Sequence, residues 1–132
     1  MQIFRTIEEL SHIKRPIVLA AGVFDGVHLG HQAVLQTAID AARTSRAEPV
    51  VLTFAPHPST VLRPGHIQPL LTSTESKLRL IEKQGIKKAL LLEFNAEFAA
   101  MEAEEFIYKL QSSARELSGI CIGQGWKFGQ DR

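Results

Sequence analysis

Cysteine is almost missing from this 132-residue chain, which has one, Cys121. A single thiol allows no intramolecular disulfide and no cysteine-based metal cage, and it suits a reducing compartment. Cys121 stands in the apolar run Ile120-Cys121-Ile122, which predicts a buried strand position. No apolar run approaches the length of a membrane span. The start, Met1-Gln2-Ile3-Phe4-Arg5 continuing into Glu8, Glu9 and His12, has no apolar segment of the kind a signal peptide needs. Charge of one sign is lacking as well: 15 Lys and Arg stand against 14 Asp and Glu, a net charge of +1. Bulk electrostatics therefore points neither to nucleic acid nor to an anionic membrane, and any anion binding must come from local geometry. There is no internal repeat, low-complexity tract, heptad pattern or domain linker. These absences predict a soluble cytoplasmic protein with no nucleic-acid and no membrane partner. What is present, 45% hydrophobic and 22% charged residues, has the balance of one ordinary globular domain.

The apolar pattern alternates between strand and helix. Ile17 to Val23 reads as a short, fully buried strand closed by a glycine-rich turn. Gln32 to Arg46 reads as an amphipathic helix with Val34, Leu35, Ala38, Ile39 and Ala42 on one face. Pro49 to Phe54 is a second buried strand, so the first two strands and their helix form a βαβ unit with parallel strands. Ala55 to Leu71 carries Pro56, Pro58, Pro64, Pro69 and Gly65 and can be neither regular helix nor central strand. It predicts a long loop at a strand's carboxyl end, the edge where open α/β sheets bind ligands. Thr72 and Glu75 have capping-box spacing for a helix to about Gln84 that buries Leu78 and Ile81, with Gly85 as its stop. Lys87 to Phe94 predicts a third strand with Ala89, Leu90, Leu91 and Leu92 in the core. Glu104 to Leu110 predicts a helix with Phe106, Ile107 and Leu110 inward, and Gly119 to Gly123 a fourth strand. This order predicts an α/β, Rossmann-like, doubly wound parallel sheet. Four strands leave its last edge open, and the chain reaches Arg132 in what reads as the start of a loop, so the fold is expected to be incomplete at the C-terminus.

The chemistry concentrates in Gly22-Val23-Phe24-Asp25-Gly26-Val27-His28-Leu29-Gly30-His31-Gln32, at the turn from the first strand into the first helix. A helix start offers unpaired N–H groups and partial positive charge, glycine lets backbone approach an anion, and His28 and His31 add donors. That combination suits a polyphosphate. It is neither the dinucleotide fingerprint, whose glycine spacing differs, nor a P-loop, since no Gly-Lys-Ser/Thr follows. Other candidates read as structural: His12 and His66 as solvated loop residues, Glu8, Glu9, Glu102, Glu104 and Glu105 as exposed helix faces, and Met101 as core packing. No protein metal site is evident in the pattern.

Phe24-Asp25-Gly26 with His28 and His31 resembles the signature of the adenylyl- and cytidylyltransferase superfamily, and the full string resembles its flavin branch. Taken alone, Thr53-Phe54-Ala55-Pro56-His57-Pro58 is a strand ending in a proline-rich loop with an exposed histidine. Beside the first motif it is similar to an element of bacterial FAD synthases. Leu71-Thr72 through Lys77-Leu78, the Phe94 to Phe106 segment, and Gly123-x-x-Trp126-x-Phe128-Gly129-x-x-Arg132 are similar to further elements of that family. The resemblance covers nearly the whole chain and matches the N-terminal FMN adenylyltransferase domain of bifunctional riboflavin kinase/FAD synthases. It implies that residues 1–132 are this domain without its last part and without the riboflavin kinase domain. One position departs from the pattern: Gly125 stands where the family usually shows Asp or Asn, and glycine supplies no side-chain hydrogen bond there.

The reaction this resemblance implies is transfer of AMP from ATP to FMN, giving FAD and pyrophosphate, with Mg²⁺ accompanying ATP. The FMN phosphate is already a competent nucleophile, so catalysis is positioning plus charge stabilisation. By resemblance, His28 and His31 are the catalytic contacts to the ATP phosphates. Gly22, Val23 and Phe24 present backbone to the nucleotide, Asp25 holds the turn, and Gly30 leaves room at the helix start. Phe54, Pro56, His57 and Pro58, with Gly125, Trp126 and Phe128, lie on the flavin side, and Arg132 contacts a phosphate. Two alternatives stay open: another small-molecule nucleotidyltransferase such as a cytidylyltransferase, and a weak or inactive remnant that binds nucleotide or flavin.

Overall fold

A computed structural model of the protein describes residues 1–24, 29–55 and 73–123. Five parallel strands form one sheet: β1 (Gln2–Phe4), β2 (Ile17–Ala21), β3 (Glu48–Ala55), β4 (Lys88–Glu93) and β5 (Leu117–Ile122), in the spatial order β1-β4-β3-β2-β5. Between them lie a 3₁₀ helix (Ile7–His12) and the helices α1 (Leu29–Ser45), α2 (Thr74–Gln84), α3 (Ala96–Ala100) and α4 (Ala103–Ser113). The expected α/β, Rossmann-like, doubly wound parallel sheet is the observed architecture.

The central strands are buried on both faces, which is why they read as unbroken apolar runs rather than alternating ones. On one face Ile17, Leu19, Val50, Leu52, Phe54, Leu90 and Leu92 pack with Leu10 of the 3₁₀ helix and with Phe106 and Leu110 of α4. On the other, Val18, Ala20, Val51, Ala89 and Leu91 pack with Leu35, Ala38 and Ala42 of α1 and with Leu78 and Ile81 of α2. Val34, Ile39 and Ile107 are half-buried against these clusters, and so is Met101.

Several expectations need correction. Among the described residues there are five strands, not four: β1 pairs with β4, Gln2 opposite Lys88, and forms one edge of the sheet. The N-terminal stretch is helical at Ile7–His12, so His12 ends a 3₁₀ helix rather than sitting in a loop, although it is exposed as expected. The first strand stops at Ala21 rather than Val23, because the chain leaves the ladder at the following turn. Helix α1 starts at Leu29, three residues before Gln32, because its first residues are exposed and carry no apolar period. The cap of α2 is Ser73, whose hydroxyl accepts the Ser76 N–H at 3.1 Å. Gly85 ends that helix as expected, at a φ of 125° that side-chain-bearing residues rarely adopt. Cys121 is half-buried, because β5 is the other edge strand. The proline-rich stretch and Thr72 lie outside the described residues.

The order of the strands decides where a ligand can go. From β2 the chain steps outward to β3 and then β4, and from β4 it returns past them to place β5 on the opposite side of β2. The strand order therefore reverses at β2. In open α/β sheets, ligands bind outside the strand carboxyl ends at such a switch point. The Gly22 turn leaves the sheet at that carboxyl end.

Candidate active site

The turn after β2 is tightly built. Gly22 N–H donates to the Leu52 carbonyl at 3.0 Å and so adds one backbone bond beyond the last strand pair, Ala21 with Leu52. A β-carbon on Gly22 would lie 3.1 Å from Cζ and 3.2 Å from Cε2 of Phe24, so the ring folds back over a space that only glycine leaves. Phe24 adopts a φ of 58°, unusual for a side chain of this size, while its ring is 1% exposed in the core beneath α1. Such a conformation persists only where its surroundings over-determine it. Here they do: the ring packs between Gly22 and His31, and the carbonyl just before it is held from two sides.

His31 stands in the first turn of α1, half-buried, with the Phe24 ring edge-on to its imidazole at 5.2 Å and 70°. The contact aims the imidazole from below, and His31 Nδ1 is screened from solvent. Leu29 and Gly30, which precede it, are exposed, Leu29 at 81%. The first turn of α1 contains no acidic residue. The positive end of a 17-residue helix is thus not neutralised by a side chain of its own first turn.

Two residues that sequence reasoning passed over hold this turn. Thr53, fully buried in β3, donates its hydroxyl to the Val23 carbonyl at 3.0 Å. Lys77 of α2, 5% exposed, donates from Nζ to the same carbonyl at 2.7 Å and to the Phe54 carbonyl at 3.2 Å. Gln84, at the far end of α2, donates to the Gln32 carbonyl in the first turn of α1 at 2.6 Å. One signal for Lys77 was in the sequence: it stands four residues before Ile81 and one before Leu78, on the buried stripe of α2, where a solvated lysine does not belong.

Among the expected site residues, the fold brings Gly22, Val23, Phe24, Gly30 and His31 together around the start of α1. Gly22 N–H and the Val23 carbonyl are engaged inside the fold, so these two groups hold the turn. Phe54 joins the cluster through its carbonyl. Its ring points to the opposite face of the sheet, 2% exposed, against Phe94 at 5.6 Å and Phe98 at 5.2 Å. Asp25, His28, Pro56, His57, Pro58, Gly125, Trp126, Phe128 and Arg132 lie outside the described residues. Among the described residues, no group of three or more His, Cys, Asp or Glu side chains could hold a metal ion. No helix there is long and apolar enough to cross a membrane.

A family model described as FAD synthetase matches residues 10–132. The bifunctional riboflavin kinase/FMN adenylyltransferase of Escherichia coli K12 is 32% identical over 133 aligned positions, covering all of this chain and 42% of that protein. The protein of the same name from Buchnera aphidicola of Schizaphis graminum is 30% identical with the same coverage. The one from Bacillus subtilis is 43% identical over 91 residues, 68% of this chain and 29% of that protein. The chain therefore spans about two fifths of the length of the first two relatives, 42% in each case. A crystal structure from Streptococcus pneumoniae, described as a macrolide-efflux protein, superposes with a TM-score of 0.82 at 27% identity, covering 99% of this chain and 44% of that one.

Proposed function

The chain belongs to the FAD synthetase family, and on that premise we propose that residues 1–132 form a nucleotidyltransferase unit that moves AMP from ATP to FMN, releasing FAD and pyrophosphate. The observation that carries this reading is the acid-free first turn of α1, with His31 braced by Phe24, at the carboxyl end of β2 where the strand order reverses. In this reading the helix start and His31, together with His28, receive the triphosphate. Charge builds up there on the departing pyrophosphate, and donors already aimed at it lower the barrier without reorganising. The FMN phosphate oxygen attacks the α-phosphorus as the bond to the bridging oxygen breaks. No enzyme nucleophile is required, which agrees with a site built from imidazole, glycine and backbone.

The described residues form no metal cage, so Mg²⁺ enters this reading as a companion of the ATP phosphates and water. The exit of β3 at Phe54 and Ala55 leads into Pro56-His57-Pro58, the stretch we place on the flavin side with Trp126 and Phe128. Phe54 itself supports that side from within the core rather than by an exposed ring. Gly125, in place of the Asp or Asn usual at that position, favours one second reading, binding of both substrates with little turnover. A cytoplasmic location goes with either.

A nucleotide-choice assay tests the proposal. With FMN as acceptor, ATP should yield the adenylated flavin and CTP should yield little. Equal use of CTP, or no flavin product with either, contradicts it. Binding of ATP and FMN without product favours the second reading.

A further inference from the structure

The ladder between β2 and β3 has its last rung at Ala21 and Leu52. Counting on in register, Val23 and Phe54 are the pair two rungs later, where one chain turns toward α1 and the other stays paired with β4, Phe54 opposite Leu92. Both carbonyls accept from one side-chain ammonium, Lys77 Nζ, at 2.7 Å and 3.2 Å. The Thr53 hydroxyl adds a second donor to the Val23 carbonyl at 3.0 Å. Lys77 thus acts as a rung built from a side chain, beyond the last rung of the ladder between β2 and β3.

Its position is costly. An ammonium removed from water loses strong hydration, and a methionine or leucine would fill an inward position on α2 without that loss. Lys77 is nonetheless buried, one position before the core residue Leu78. What the ammonium does that an apolar chain cannot is draw two carbonyls to one point and fix their separation. Those carbonyls belong to the two strand exits that the proposed function assigns to different substrates, the Gly22 turn to the triphosphate and the Phe54 exit to the flavin.

We propose that Lys77, assisted by Thr53, is a positioning residue that sets the relative placement of the nucleotide turn and the flavin-side strand exit. The inference rests on the proposed AMP transfer. It acts through the backbone at Val23 and Phe54, and Lys77 itself touches no substrate in it. Each substrate keeps its own contacts when the clasp is removed, and what is lost is their alignment. Misalignment lowers the rate of in-line transfer far more than it weakens either binding step.

The test compares Lys77→Met with the parent chain in three measurements: steady-state FAD formation, thermal unfolding, and amide hydrogen exchange of the segment 19–24. The expected result is a kcat lower by about tenfold or more with KM for ATP and for FMN changed by less than about threefold. Exchange at residues 22–24 should rise while exchange within α2 stays as in the parent. Lys77→Arg, which keeps charged donors, should recover part of kcat. Ile81→Val, a destabilising change on the same helix away from the exits, should leave kcat in place. A kcat for Lys77→Met within about twofold of the parent overturns the proposal, and so does a loss of rate that Ile81→Val reproduces.

If Lys77→Met does not fold, Thr53→Val carries the test. It removes the other donor to the Val23 carbonyl at nearly constant volume. It should lower kcat by about threefold with KM unchanged and speed exchange at 22–24, and no change in either overturns the clasp. If the parent forms no FAD at all, the proposed function fails. The exchange measurement then decides the clasp by itself: unchanged protection at 22–24 in Lys77→Met removes it.

Discussion

Gly22→Ala is the sharpest probe of the turn. The added methyl would lie 3.1 Å from Cζ and 3.2 Å from Cε2 of Phe24, inside ordinary contact distance. The ring cannot swing outward, because it is 1% exposed and set in the cluster with Val18, Leu35 and Ala38. Its backbone is also already held in a rare conformation. Overpacking of this kind costs about 1–3 kcal/mol. Alanine also narrows the unfolded ensemble, which returns about 0.4–1 kcal/mol where the backbone angles suit it. The net expectation is a destabilisation of about 0.5–2.5 kcal/mol, or a fall in Tm of roughly 2–10 °C for a chain of this size. Thermal unfolding of Gly22→Ala, Phe24→Leu and the double variant separates the clash from other causes. Shrinking the ring should relieve the methyl, so the double variant should be more stable than the sum of the singles predicts, by about 0.5 kcal/mol or more. An unchanged or raised Tm for Gly22→Ala, or strict additivity, refutes the packing argument.

Other outcomes follow from the same geometry. His31→Ala should lower kcat/KM for FAD formation by about 10²–10³, while Tm falls by only a few degrees. The edge-on contact with Phe24 is worth about 0.5–1.5 kcal/mol, and a large drop in Tm with little change in rate would make His31 a packing residue only. Glu9 is held below the ordinary carboxylate range, first by the Arg5 N–H and then by the Thr6 hydroxyl and N–H it accepts. Because its pKa is depressed in the fold, its contribution is fully present above the unfolded value and is lost as pH falls through the folded one. Glu9→Gln should therefore flatten the acid-side decline in urea midpoint, and an identical decline in both proteins contradicts this. Burial pushes the Cys121 thiol up, so at mildly alkaline pH it should react with a disulfide reagent more slowly in the folded chain than in urea. Equal rates would contradict its half-buried placement.

The strands β2, β3 and β4 were legible because burial on both faces leaves apolar runs with no competing reading. β1 was not, since only Phe4 of its three residues is buried and its partner in β4 lies more than eighty positions away in register. Helix α3 escaped because it buries none of its five residues and is held by Asn95 accepting the Phe98 N–H at 2.8 Å. The place of His31 at the helix start could be read from the sequence because everything that sets it is local, the Gly22 turn and the start of α1. The burial of Lys77 had a signal in the stripe of α2, but its two carbonyl partners did not, because only the assembled sheet brings them together, one of them 54 residues away. The direction of the Phe54 ring was not legible at the strand exit: alternation along β3 sends it to the face that holds Phe94 and Phe98.

The central claim is a transfer of AMP between two small molecules at the strand ends of this sheet. Following the phosphorus atoms tests it most directly: the chain is supplied with FMN, Mg²⁺ and ATP labelled at the α-phosphorus, and the products are separated. The account predicts label in a dinucleotide flavin in equal amount to unlabelled pyrophosphate. Label recovered only as free AMP, or a γ-phosphoryl group passed to the flavin instead, would contradict it.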